Sequence, residues 1–252
     1  MGPWTGVVTP LTGPGADGLN SSLPAHLHPV AGRPLVWHTV WSLAALSPAP
    51  KRVIVAVGPD GDPERFADIP VPVEVIDGEV PEIDGWTLAV HSAAPCAGLA
   101  LQRILDRGEA ANLDDERGRP IARFGRVASP EPAPHQDADG FGVHSRAELA
   151  RASATIRDRL VRALMEDGVT FLLPHSVVID VDVTIGRDAV IYPGVVLEGR
   201  TVIGGETVIG PCCRIVSSRI GSGVELKGFN YVANTTLRNH AILEPHVRRG
   251  FD

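Results

Sequence analysis

Residues 177–216 read VVIDVDVTIGRDAVIYPGVVLEGRTVIGGETVIGPCCRIV, and within them Ile179, Ile185, Ile191, Leu197, Ile203, Ile209 and Ile215 recur at every sixth position without a break. Two residues before each stands a residue that is mostly small or β-branched: Val177, Val183, Ala189, Val195, Thr201, Thr207 and Cys213. A period of six matches neither the 3.6 of a helix nor the 2 of an open strand. It fits a coil that turns a corner after each hexad and stacks its aliphatics inside, three hexads closing one turn. Glycines at 186, 194, 199, 204, 210 and 221 are expected at the corners, where the backbone must bend sharply. The register slips by one residue between Ile215 and Ile220 and resumes through Leu226 and Val232, which predicts roughly four coils over 174–250. Cys212 and Cys213, as neighbours in one strand, are expected to face out and in.

Upstream of the repeat the pattern changes. Ser145 and Glu148 have the spacing of a capping box, and Leu149, Ile156, Leu160 and Leu164 share one helical face up to Gly168, so a connecting helix is expected. Before it, short apolar runs at 6–8, 52–58, 73–77 and 86–91 alternate with helix-like segments such as 34–46, the pattern of a small parallel α/β sheet. Residues 129–140 have loop composition.

Composition sets the outer limits. With 44% apolar residues over 252 positions, the chain has material for two ordinary cores. A formal net charge of -7, with no Lys/Arg cluster among aromatics, argues against a nucleic-acid partner. The start MGPWTGVVTPLTGPG lacks the regions of a signal peptide, and no apolar run reaches the ~18 residues of a membrane span. We therefore expect a cytoplasmic protein with no membrane association. Cys96, Cys212 and Cys213 are odd in number and lack CxxC spacing, which argues against a disulfide framework or a structural zinc.

Three segments carry a resemblance: LPAHLHPVAGRPLVWH at 23–38, GVHSRAELARA at 142–152, and the repeat from Asp180 to Gly204. They stand in the order found in bacterial N-acetylglucosamine-1-phosphate uridylyltransferase/glucosamine-1-phosphate acetyltransferase, and the chain resembles that bifunctional family as a truncated, degenerate relative. The resemblance implies a trimmed Rossmann-like nucleotidyltransferase domain over 1–144, a connecting helix over 145–168 and a short left-handed parallel β-helix over 169–252. Flat, partly apolar rod sides, and the habit of families with this repeat, imply a homotrimer.

The departures from the family pattern bear on activity. The family's phosphate loop carries an Arg, and a Lys follows its Pro, together neutralising a triphosphate. Here the loop reads TGPGADGLNSSLP over 12–24, with Asp17 and Gly18 where the Arg would fall and Ala25 in place of the Lys. An acid beside incoming phosphates repels them. The resemblance places the family's magnesium ligands, an Asp and an Asn, at Ala93 and His144; a methyl group and a neutral imidazole are not the oxygen donors that ion takes. The family's uracil- and sugar-recognition segment has no counterpart between about 58 and 90, and the later coils that supply acetyl transfer are not matched beyond Arg248.

The candidate site residues follow. Backbone N–H groups at Gly13 and Gly15, with Arg33 and Arg126, are the candidate ligand contacts; Arg123 is a further cation in the same region. His91, Cys96 and His144 would be the members of a repurposed catalytic group, against which stands a buried His beside an inert thiol. His135, Asp137, Asp139 and His144 have the chemistry of a soft divalent-metal group, against which stands a solvated loop. Lys227, Asn230, Asn234, Asn239 and His240 fall in the least regular coils, where Asn serves as a corner device. No cofactor follows from the residues, and magnesium enters only if nucleotidyl transfer is retained. Three functions result. The first is a trimeric relative without uridylyltransferase or acetyltransferase activity that binds a nucleotide-sugar-like ligand or a partner enzyme. The second is an active sugar-1-phosphate nucleotidyltransferase with substitute residues. The third is a repurposed enzyme in the old cleft.

Overall fold

The computed structural model describes residues 2–10, 18–58, 62–126, 134–137 and 140–250. The chain divides into two compact units, one of Met1–Pro29 with Pro34–Ala152 and one of Val30–Arg33 with Ser153–Asp252. One boundary between these units, after Ala152, lies within the helix expected over 145–168. Among the described residues no helix is long and apolar enough to cross a membrane.

In the first unit the β-branched runs form parallel strands β1 (Trp4–Thr9), β2 (Arg52–Ala56), β3 (Val73–Ile76) and β4 (Trp86–His91). Three more follow: β5 (Ala111–Asp114), β6 (Pro120–Gly125), antiparallel to β4 and β5, and β7 (Pro134–Gln136). The sheet order is β3-β2-β1-β4-β6-β5-β7. Val53, Ile54 and Val55 have no exposed surface, as expected of a parallel strand covered on both faces. Helix α1 (Leu35–Ala44) lies over Gly6, where an added Cβ would meet Val53 at 3.1 Å and Leu43 at 3.3 Å. Close packing of helix on sheet requires the missing side chain there. Helix α2 (Gly98–Asp106) buries Ala100, Leu101, Ile104 and Leu105.

The strand registers sort the side chains onto two faces. Gly6 pairs with Leu88, Val8 with Val90, and Leu88 with Phe124, all on the closed face. Thr9 pairs with His91, and Ala89 and Asn112 both pair with Arg123, on the other. The β5–β6 hairpin completes the sheet and was not expected from apolar periodicity, because Arg123 and Asn112 interrupt it.

Helix α3 (Arg146–Glu166) ends at Gly168, whose φ is +96°. Leu164 accepts from Val169 N at 3.0 Å there, closing the helix. In the second unit Leu160, Val161 and Leu164 pack on the core of a parallel β-helix. Its faces are ladders of five, five and four short strands running from Thr170–Phe171 to Arg248–Arg249. Ile179 stacks under Leu197, Ile215 and Val232; Ile191 under Ile209, Leu226 and Leu243; Ile185 under Ile203, Ile220 and Leu237. The slip is absorbed at the corner Ser217–Ser218. Before it Val196 pairs with Arg214; after it Val202 pairs with Arg219, one residue closer in sequence.

The glycines act differently from expectation. Gly194 and Gly199 adopt φ of +71° and +63°, but Gly186, Gly204, Gly210 and Gly221 do not, while Asp188, Glu206, Cys212, Phe229 and His246 take positive φ at other corners. At Gly204 a Cβ would lie 2.5 Å from Ser222 N, so the next coil's backbone occupies the space. Cys213 is buried and Cys212 exposed, as expected. Asn230 is structural: its amide donates to Glu244 O at 2.7 Å and its oxygen accepts from Gly228 N at 3.1 Å.

Leu197, in the middle of its stack, has no exposed surface. Leu197→Ala is expected to cost ~2–5 kcal/mol of unfolding free energy in equilibrium denaturation. Gly204→Ala is expected to destabilise although it removes nothing; wild-type stability in both variants would contradict the stacked coils.

Candidate functional site

Strand order reverses about β1, whose neighbours β2 and β4 lie on either side, and such a switch point leaves a crevice at the carboxyl ends of the strands. Thr9 and His91 are the last register partners of β1 and β4, and Ser92 N donates to Thr9 O at 2.8 Å. The chain then turns, with Ala94 N donating to His91 O, and Val143 N donates to Ala93 O at 2.8 Å. Segments 92–95 and 142–144, distant in sequence, therefore lie side by side at the mouth of the crevice.

What they present there is not a magnesium site. Ala93 is fully buried and offers a methyl group. Both ring nitrogens of His144, Nδ1 of His91 and Oγ of Ser92 are buried without a hydrogen-bond partner among the described residues. Gly142 makes room for the imidazole, since a Cβ there would lie 2.7 Å from His144 Nε2. Burial lowers the pKa of His91, opposed by a hydrogen bond with the Pro10 carbonyl. Burial also lowers that of His144, helped by the charges of Arg119 and His91 and opposed by Glu148 and Asp115. Neutral imidazoles and a methyl group do not match the hard-oxygen shell of magnesium.

Next to His144 is an ionic group that sequence reasoning caught only at one end. Glu148 accepts from Ser145 Oγ at 3.1 Å and from His144 N at 2.9 Å, and Glu148 N donates to Ser145 Oγ at 3.2 Å. The capping spacing is real, but the carboxylate reaches one residue further back than in a standard box. Arg119 joins it at 2.6 Å and also holds Asp115, whose carboxylate accepts from the backbone of Arg117 and Arg119. Burial alone would raise both carboxyls, but these hydrogen bonds and the guanidinium charge hold Asp115 and Glu148 below the usual range. The turn Asp115-x-x-Gly118-Arg119, with Gly118 at φ +73°, was its sequence signal.

The other candidates disperse. Arg33 belongs to the second unit, where Nε and Nη2 grip Asp182 at 3.0 and 2.9 Å. Arg126 lies 5.4 Å over the Trp86 ring. Cys96 is fully buried with its thiol 4.0 Å from the Ala152 carbonyl, the setting of an inert core cysteine. Asp137 is held by Arg103 at 2.7 and 2.8 Å, and His135 is on the edge strand β7. Gly13, Gly15 and Asp139 lie outside the described residues. Among the described residues no three His, Cys, Asp or Glu side chains gather as a metal site. The open face holds a groove of about 400 Å³ lined by Thr9, His91, Asn112, Asp114, Arg123 and apolar neighbours.

A mostly parallel sheet with a crevice at its switch point and a hexapeptide β-helix thus occur in one chain. Its curated relatives are bifunctional proteins GlmU. Over 110 residues, 43% of the chain, it is 42% identical to GlmU of Caldanaerobacter subterraneus subsp. tengcongensis, of which 24% is covered. Over 107 residues, 42% of the chain, it is 42% identical to GlmU of Geobacillus thermodenitrificans, of which 23% is covered. An alignment of 295 positions with GlmU of Heliobacterium modesticaldum, 26% identical, takes in 83% of this chain and 64% of that protein. The chain thus spans from about a quarter to just under two thirds of the length of these relatives. The longest alignment exceeds the 252 residues of the chain, so the relative carries insertions with respect to it. No protein-family model matches the chain.

The two histidines predict a pH response. Each folded-state pKa lies below its unfolded value, so as pH falls through about 6.5 the unfolded chain takes up protons that the folded one does not, and stability is lost. The double variant His91→Gln/His144→Asn is expected to lose less stability than the wild type between pH 7 and pH 5 in matched thermal melts. Parallel losses would show that the imidazoles are not held neutral.

Proposed function

We propose that this protein is a non-catalytic relative of the sugar nucleotidyltransferases: a homotrimer, joined through its β-helices, whose α/β units bind a nucleotide-sugar-like ligand or an active partner enzyme. The observation that carries the proposal is the 2.8 Å hydrogen bond from Val143 N to Ala93 O. It supports the family correspondence of both segments, and hence the replacement of both metal ligands by residues that do not bind magnesium. The cationic side is depleted as well. Asp17, Gly18 and Ala25 stand at the family's Arg and Lys positions, Arg33 is engaged by Asp182, and Arg126 is engaged by Trp86. Phosphoryl transfer depends on charge stabilisation more than on covalent chemistry, so losing these groups together removes most of what the fold contributes to rate. Trimerisation is supported by rod faces on which Val178, Tyr192 and Ile242 remain exposed, since flat β surfaces of this kind are stabilised by identical neighbours.

Purified protein incubated with UTP, a hexosamine 1-phosphate and magnesium is expected to release no pyrophosphate and to form no UDP-sugar above the no-protein background. Turnover that disappears in His144→Ala would establish an active enzyme with substitute residues instead. Light scattering at micromolar concentration is expected to give three times the chain mass of 26.7 kDa; a monomer mass would remove the trimer.

A further inference from the structure

We propose that the second unit carries an anion site of its own, a hollow on the side of the β-helix in which Arg200 and Arg219 together hold a phosphate dianion. The site is independent of whatever the α/β unit binds. It follows from the shortened repeat. Between Glu198 and Val202 the second coil passes through three corner residues, Gly199, Arg200 and Thr201, whereas the next two coils cross the same corner with two each, Ser217–Ser218 and Asn234–Thr235. Three residues spanning what two span below must bow outward, so the longer corner overhangs the shorter ones. Beneath it is a hollow of about 420 Å³ lined by both short corners together with Arg200, Val202, Arg219 and Thr236. Arg219 stands between Val202 and Thr236 in the four-stranded ladder and faces outward, because Ile220 beside it is buried in the core. Arg200 is two residues ahead of Val202, one coil away from Arg219 at the ~4.8 Å strand spacing, so one guanidinium reaches the hollow from the corner and the other from the face.

The charges around the hollow are unbalanced. Among the described residues neither guanidinium has a hydrogen bond, an ion pair or a ring contact. Arg33, Arg157 and Arg214 of the same unit each grip a carboxylate instead. No acid lines the hollow, and Glu198, at the start of the overhanging corner, is held by Arg214 at 2.6 Å. Two arginines without an acid repel each other, and an anion between them removes that cost. The donor set narrows the anion. Two planar forks supply more N–H groups than one carboxylate has oxygens to accept, whereas a phosphate presents three peripheral oxygens and a charge of roughly −1.5 to −2 near pH 7. Ser217 and Thr236 add hydroxyl groups that have no hydrogen-bond partner among the described residues. Ser218 Oγ is already used, accepting from Thr235 N at 3.2 Å and donating to Val216 O at 2.7 Å. With Val202 as its single aliphatic wall residue the hollow offers no slot for a base or a ring, so recognition is confined to the phosphate group. Val178 and Ile242, exposed apolar residues that favour trimerisation, stand on the other two ladders, so they do not compete for this face.

Calorimetric titration of the full chain at low ionic strength and pH 7.5 tests this, with inorganic phosphate, glycerol 3-phosphate and malonate as probes. Phosphate and its ester are expected to bind saturably, and malonate, a dianion of planar groups, at least about five-fold more weakly. Arg200→Gln and Arg219→Gln are each expected to weaken phosphate binding about five-fold at an unchanged melting temperature, the scale of one exposed charge pair, and the double variant to lose saturable binding. Arg238→Gln, which removes an exposed arginine outside the hollow, is expected to bind as the wild type does. Tighter binding of the ester identifies a phosphomonoester as the ligand and tighter binding of inorganic phosphate identifies the free ion; both uphold the site. Absence of saturable phosphate binding, binding that survives in the double variant, an equal loss in Arg238→Gln, or malonate binding as strong as that of phosphate would each overturn it.

Discussion

Every coil of the second unit must meet the next at one fixed backbone register, and most features of that unit answer to this constraint. Parallel N–H to O=C ladders join neighbouring coils on all three faces, and the same register brings each aliphatic over the one below. Hydrogen bonding and apolar burial are thus satisfied by a single geometry, so a slip in one would break the other. Two irregularities show how it is tolerated. One residue is missing at the Ser217–Ser218 corner and a second between Val232 and Leu237, so from the Val202–Arg219 pair onward each pairing is one residue shorter while the aliphatics stay stacked. The same demand explains the glycines at 186, 204, 210 and 221. Coils stacked at the ~4.8 Å spacing of β-strands leave no volume for a side chain pointing along the stack.

In the first unit the backbone, more than the side chains, builds the crevice. Strand order and the Thr9–His91 register create the crevice, and the Val143–Ala93 hydrogen bond brings the two loops together. Backbone interactions do this, and they do not depend on whether the side chains are carboxylates. The fold therefore accommodates a methyl group and a buried imidazole at Ala93 and His144 without using either to hold the two loops together. The polar investment near His144 has gone elsewhere, into the Asp115–Arg119–Glu148 group that caps α3. Such a network ties a helix start to a hairpin and holds its carboxylates ionised by local bonding. Its ordinary purpose is structural.

Arginine is the residue whose fate the structure most changes. From the sequence, Arg33, Arg123 and Arg126 are equivalent cations near a phosphate-like motif. In the fold Arg33 grips Asp182 and so joins the first coil of the β-helix, where Gly32, at φ +80°, also leaves no room for a side chain against Asp180. Arg126 spends its charge on the Trp86 ring. Arg123 lines the groove of the open face and has no such partner among the described residues. Which cation is free depends on partners that lie 40 and 149 positions away in sequence, and no local pattern encodes that.

The sequence by itself determined the periodic parts of this protein. Six-residue aliphatic spacing dictates the stacked coils, the Ser145 and Glu148 spacing with Gly168 brackets α3, and the β-branched runs of the first half give four of the sheet's strands. In each case the information is local, because burial on one face imposes a period on neighbouring positions. It also named Ala93 and His144 through their order in the chain. Tertiary structure alone decided the rest: the β5–β6 hairpin, whose outward Arg123 and Asn112 hide its period, the burial of Cys96, the Asp115–Arg119–Glu148 group, and the division of the chain within α3. These depend on contacts between residues far apart in sequence, where burial and charge are set by whatever the fold brings alongside.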